Sequence, residues 1–158
     1  EYKMSQEFVE KNVNEIMDDK ALPFPKNMAL ASAWMLGNLK GISLKVLDVT
    51  STSSLSDFYV LASATNVNQA SSMADTITKE FMRRGHKVYS KEGFYADSDW
   101  FLIDMGDVIV HIFMEFSRTV YDLDNLWEKA SILTIPDSYY FTEDEESSSS
   151  TIESKDFF

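Results

Sequence analysis

Residues 100–127 read WFLIDMGDVIVHIFMEFSRTVYDLDNLW, and the reading of this stretch decides the fold. Trp100 to Met105 is a short run dominated by large apolar residues, and Asp107 to Met114 is β-branched or apolar at nearly every position. A continuous apolar run of that length suits a strand covered on both faces. Gly106-Asp107 joins the two runs. A two-residue loop with glycine first makes a tight hairpin, because glycine takes the positive φ that the turn requires. The two strands are therefore expected to be antiparallel neighbours. Ser117 stands where a helix N-cap belongs, and Val120, Leu123, Leu126 and Trp127 follow at three- and four-residue spacing. That pattern predicts a helix with one apolar stripe.

Upstream of this stretch, Asn27 to Leu39 predicts a helix that buries Leu30, Trp34 and Met35 and is ended by Gly41. Leu44 to Val49 and Asp57 to Ala62 read as strands on either side of a polar loop. Asn66 or Asn68 caps the longest helix, in which Val67, Ala70, Met73, Ala74, Ile77 and Phe81 recur at steps of three and four, and Gly85 stops it. Val88-Tyr89 reads as a short strand, and a polar loop from Lys91 to Asp99 leads back to Trp100. This order points to an α+β fold, a mixed five-stranded sheet packed with helices. Residues 27–141 form that domain. Residues 1–26 are an N-terminal extension, separated from it by Leu22-Pro23-Phe24-Pro25. Phe8, Val9, Val13, Ile16 and Met17 suit a short amphipathic helix or a frayed segment equally. Residues 142–158 are acidic and Ser-rich, too polar to offset the entropy of ordering, and are expected to be disordered.

A chain of 158 residues that is 44% hydrophobic can build one domain with a proper core. It has no cysteine, which excludes disulfides and thiolate chemistry. No apolar run approaches the roughly 20 residues that span a bilayer, so no membrane role is expected. The net charge is −12, and residues 143–158 alone carry six acids against one base. Such a chain repels phosphate backbones, which argues against direct sequence-specific nucleic-acid binding and favours a basic protein partner. The one short basic cluster is Lys79, Arg83, Arg84 and Lys87. Six acids in the first 20 residues do not suit an organelle transit peptide, and a cytoplasmic location is expected.

The pattern offers no catalytic residue, cofactor site or metal site, and the chain is not read as an enzyme. Nucleophilic catalysis needs a base beside its nucleophile, and the only histidines are His86 and His111. His86 follows a helix-ending glycine. His111 lies in an apolar strand with no visible activator and reads as a hydrogen-bonded core residue. Neither histidine has zinc-ligand spacing. The alternative enzyme reading is a metal-dependent nucleotidyltransferase, which needs two carboxylates two residues apart on one strand. Ser54 and Ser56 precede Asp57, but position 59 is Tyr, and no glycine lies between Thr50 and Asp57 to admit a phosphate. Apolar residues in places a core does not need them remain. Met105 is expected at an exposed hairpin tip, Trp100 where a polar loop enters a strand, and Tyr121 on the last helix. Large aromatics carry much of the energy of protein interfaces.

These residues resemble a known family over about residues 28–130. Asp57-Phe58-Tyr59-Val60, Thr65, Ala74-Asp75, Glu92-Gly93, Trp100, Asp104-x-Gly106-Asp107-Val108-Ile109-Val110-His111, Arg118, Tyr121, Leu123 and Leu126-Trp127 are similar to the ribosomal silencing factor family, also called Iojap. The resemblance implies a nucleotidyltransferase-like α+β fold without the transferase chemistry. It also implies binding to the large ribosomal subunit through ribosomal protein fourteen. Occupying that face blocks joining of the small subunit and lowers translation when nutrients are short. Family members are often homodimers. By matching motif, the partner-facing residues would be Trp100, Met105 and Tyr121, with Asp57, Asp104 and Gly106 shaping the same edge. The chain departs from the family pattern at Ala64, where glycine is common, and at Asn68-Gln69, where a basic or His pair is common.

Overall fold

A computed structural model describes residues 4–93, 98–120 and 122–140. Helix α1 (Gln6–Met17) starts at Ser5, whose hydroxyl accepts the Phe8 N–H, and buries Val9, Val13 and Ile16. The extension is thus a packed helix: Phe8 meets Trp34 at 5.5 Å between ring centroids. Trp34 belongs to α2 (Lys26–Asn38), which is buried nearly all round. Its sequence, KNMALASAWMLGN, is apolar or small at almost every position, as a helix enclosed by other elements must be. Strands β1 (Ile42–Asp48) and β2 (Phe58–Ala64) follow, then α3 (Val67–Arg83). Asn66 caps α3 by accepting the Gln69 N–H. At its far end the His86 N–H reaches the Phe81 carbonyl and the Gly85 N–H reaches the Met82 carbonyl, with Gly85 at φ +89°. That pair of bonds is the glycine-terminated stop that the sequence signals.

Strands β3 (Ser90–Glu92), β4 (Trp100–Asp104) and β5 (Val108–Met114) lead into the short helices α4 (Glu115–Val120) and α5 (Leu123–Leu126) and then to β6 (Ser131–Leu133). Among the described residues the sheet has six strands in the order β3-β4-β5-β2-β1-β6, and only β2 and β5 pair in parallel. The expected hairpin is present, since β4 and β5 are antiparallel and the Met105 N–H meets the Val108 carbonyl across Gly106-Asp107.

Four expectations are corrected. The sheet is six-stranded, not five-stranded, because Ser131–Leu133 pairs with Val46–Asp48; three residues without apolar period become a strand only by meeting the open edge of β1. The third strand is Ser90–Glu92, not Val88-Tyr89, and pairs with Leu102–Asp104. It lies exposed on the sheet edge, where no alternation of burial exists to mark it. Ser117 is not an N-cap: α4 begins at Glu115 and Ser117 is buried within it. The helix after it is also not continuous. Asp122 takes a left-handed φ of 51°, and Val120 and Leu126 are 71% and 62% exposed rather than inward. Tyr121, the Leu123 side chain and the acidic tail 142–158 lie outside the described residues.

Along β2, Phe58, Val60, Ala62 and Ala64 face the main core with α1, α2 and α3, while Tyr59 and Leu61 face the other way; β5 divides in the same manner. Among the described residues, no helix is long and apolar enough to cross a membrane. Val13 is fully buried on the inner face of α1, so Val13→Ala is expected to lower the free energy of unfolding by about 2 kcal/mol. Urea denaturation followed by tryptophan fluorescence measures this; a frayed extension would give no change.

Candidate functional site

The second face of the sheet is the less covered one, and it carries the sequence-expected Trp100. Leu47, Val49, Leu61 and Phe113 form its buried base, and Tyr59, Trp100, Trp127 and Ala130 pack over them half-buried. His111 lies at its centre. The imidazole sits 4.9 Å from the Tyr59 ring, 5.1 Å from Trp127, 5.8 Å from Trp100 and 6.1 Å from Phe113. The Trp100 indole N–H donates to His111 Nδ1 at 3.1 Å. Because successive strand residues alternate faces, Trp100, Leu102 and Asp104 of β4 share this face, all partly exposed. The result is a stripe with an aromatic end and an acidic end.

The acidic end is organised around the hairpin. Asp104 Oδ1 accepts the Gly106 N–H at 2.8 Å, and the Asp107 carbonyl receives the N–H groups of Asp57 and Phe58 and the Ser56 hydroxyl. Asp57, Asp104 and Gly106 are thus brought to one end of the sheet. Gly106 has φ +86°, and a Cβ there would stand 3.0 Å from the Tyr89 ring. Tyr89 therefore belongs to the same edge. Trp100 stands at the opposite end of β4, paired across from Phe113. Met105 corrects its expected place: it is 5% exposed and packs in the main core, not at an exposed tip. Tyr121 lies outside the described residues. Asp48, the last residue of β1, accepts from the Thr50 hydroxyl and amide, which hold its carboxyl below the usual range. Among the described residues, no group of three or more His, Cys, Asp or Glu could hold a metal ion.

The helices over this face are clasped by Arg118. Only 5% exposed, its guanidinium donates to the Ser43 carbonyl, the Ser63 hydroxyl and both Asp124 oxygens, and lies 5.9 Å from the Phe113 ring centroid. Lys45 adds a 2.8 Å contact to Asp124. Burial alone would raise the Asp124 carboxyl, but the hydrogen bonds and charges of Arg118 and Lys45 outweigh it and hold the group below its ordinary value. This clasp fixes the segment that carries Trp127 onto the rings of Tyr59 and His111. The sequence motif contained Arg118, Trp127 and Tyr59 but gave no spacing signal that they meet.

Fold and face together define a class: a small α+β protein with a mixed sheet whose less covered side carries a packed aromatic cluster. Residues 24–157 match the family model described as "Ribosomal silencing factor during starvation", and the chain belongs to that translation-regulating family. The ribosomal silencing factor of Haemophilus influenzae is 35% identical over 102 residues, 63% of this chain and 99% of that protein. That of Halalkalibacterium halodurans is 32% identical over 126 residues, 80% and 90% of the two chains. A mouse relative named "Mitochondrial assembly of ribosomal large subunit protein 1" is 27% identical over 85 residues, 52% of this chain and 37% of that protein. A crystal structure from Chromobacterium violaceum superposes with a TM-score of 0.58 at 25% identity, covering 73% of this chain and 86% of that one. Helix α1 lies before the matched region.

Burial of His111 pushes its imidazole from the ordinary 6.5 down to about 4, so it is neutral at pH 7. Above 6.5 neither the folded nor the unfolded chain protonates it. As pH falls below that value, the unfolded chain takes up the proton and the folded chain resists until about 4. The stability contribution is therefore present above 6.5 and is lost as pH falls toward the folded value. Between pH 7 and 4.5 wild type should lose about 2–3 kcal/mol more than His111→Phe in urea denaturation; equal losses would contradict this assignment.

Proposed function

We propose that this protein silences ribosomes by binding the large subunit through ribosomal protein fourteen, with the β4 side of the sheet as its contact. Trp100 is the anchor, Asp57, Asp104 and Gly106 form the polar edge, and the family motif adds Tyr121 as a further partner-facing residue. Met105 acts from beneath by seating the hairpin. The observation that carries the reading is the aromatic face, half-buried and already held in one arrangement by His111 and Arg118. A preorganised aromatic anchor binds without ordering cost, and such residues dominate interface energies. The family membership and the large-subunit name of the mouse relative support the choice of partner.

Charge supports it too. A chain of net charge −12 is drawn toward a basic ribosomal protein and repelled by neighbouring phosphates. Occlusion of the small-subunit face needs occupancy alone, so repression follows protein concentration relative to Kd. Sedimentation with purified large subunits tests the reading. Wild type should pellet and reduce joining of added small subunits, and folded Trp100→Ala should bind at least about tenfold more weakly. Wild type left in the supernatant, or a mutant that binds equally well, would overturn it. The association rate is expected to fall as salt is raised; a rate independent of salt would contradict the steering argument.

A further inference from the structure

We propose that His111 is the positioning residue of this face: by accepting the indole N–H of Trp100 at Nδ1, it selects the orientation in which Trp100 meets its partner. The inference rests on the reading of Trp100 as the anchor and goes beyond it to the group that sets the anchor's geometry.

Strand β5 reads VIVHIFM, and His111 is its one polar residue. A strand buried on both faces calls for an apolar side chain at that position. His111 is instead a 4%-exposed imidazole whose Nδ1 accepts from Trp100 at 3.1 Å. Accepting at Nδ1 places the proton of the neutral ring on Nε2. That Nε2 has no hydrogen-bond partner among the described residues. A buried unpaired donor is unfavourable, and an apolar ring of the same shape would avoid it. The His111 arrangement therefore does not serve packing. What it does provide is one bond, to the single polar group of Trp100, since an indole is a donor only.

That bond settles a choice that apolar contacts leave open. Trp100 touches Phe113 at 5.1 Å and Trp127 at 6.3 Å between ring centroids. Ring contacts of this kind tolerate either flip of the indole, but only one flip places Nε1 at His111. The imidazole cannot follow a moving indole, because the Tyr59 ring meets it edge-on, the Trp127 ring lies tilted against it and the Phe113 ring runs parallel to it. With its N–H turned inward, Trp100 offers the partner carbon only, and no indole donor must be desolvated when the surface is covered.

The test uses the full chain with its tryptophan side chains labelled with nitrogen-15, alongside sedimentation with purified large subunits. The chain has three tryptophans, so the indole N–H signals resolve and can be assigned by substitution. In wild type the Trp100 N–H should exchange slowly with solvent. In His111→Phe it should exchange about tenfold faster, and subunit binding should weaken about five- to tenfold, while the melting temperature holds or rises. His111→Asn puts an acceptor oxygen near the place of Nδ1 and should restore both protection and binding relative to His111→Phe. Unchanged exchange and binding in His111→Phe would overturn the proposal. If His111→Phe fails to fold, His111→Asn is compared with His111→Leu, and equal behaviour of those two overturns it. If wild type does not bind large subunits, the proposed function fails by itself, and the indole exchange alone decides whether His111 orients Trp100.

Discussion

The parallel pairing of β2 with β5, running from Phe58 opposite Val108 to Ala64 opposite Met114, is the constraint on which the rest of this structure depends. Parallel strands cannot be joined by a tight turn, so the chain must leave the sheet and return. It does so through α3 and the β3–β4 hairpin. A parallel pair also asks for cover on both faces. One face receives α1, α2 and α3 and becomes the main core. The other has only α4, α5 and the segment after them, which is too little to close it. Aromatic side chains complete the cover from within the sheet and leave their outer edges in solvent. The candidate recognition surface is thus a consequence of incomplete cover over a central parallel pair.

Polar groups turn that incomplete cover into a defined surface. Arg118 sits almost wholly buried, and a buried guanidinium is tolerable only when its donors are satisfied. Four partners supply this: Ser43, Ser63 and the two oxygens of Asp124. The same bonds tie a left-handed turn at Asp122 and the short helix after it to β1 and β2. Trp127 is carried with them. His111 does for the Trp100 side what Arg118 does for the Trp127 side, with one hydrogen bond in place of several. Both residues are polar groups inside an apolar surface, and both act by fixing the direction of an aromatic ring.

Much of this was legible in the residues. The glycine-first turn at Gly106, the apolar run of β5 on either side of His111, the Gly85 helix stop and the core placement of His111 follow from local chemistry that tertiary packing did not override. The inward place of Met105 follows from strand parity as well. Phe101, Ile103 and Met105 share one face of β4, so Met105 must point inward whenever Phe101 does. Strands β3 and β6 were not legible in the same way. Each has three residues, mostly exposed, whose extended form is imposed by a neighbouring edge. The break at Asp122 was hidden because Val120, Leu126 and Trp127 keep helical spacing across a chain that is not one helix. The Arg118 clasp joins residues up to 75 positions apart, and no local pattern encodes that.

Hydrogen–deuterium exchange on the full chain, free and bound to purified large ribosomal subunits, tests the central claim most directly. The account expects slowed exchange along residues 100–107 and in the α4–α5 segment, with α1 and α3 unchanged. Protection of α1 and α3, with β4 and its hairpin turn exchanging as in the free protein, would place the contact on the covered side of the sheet and contradict it.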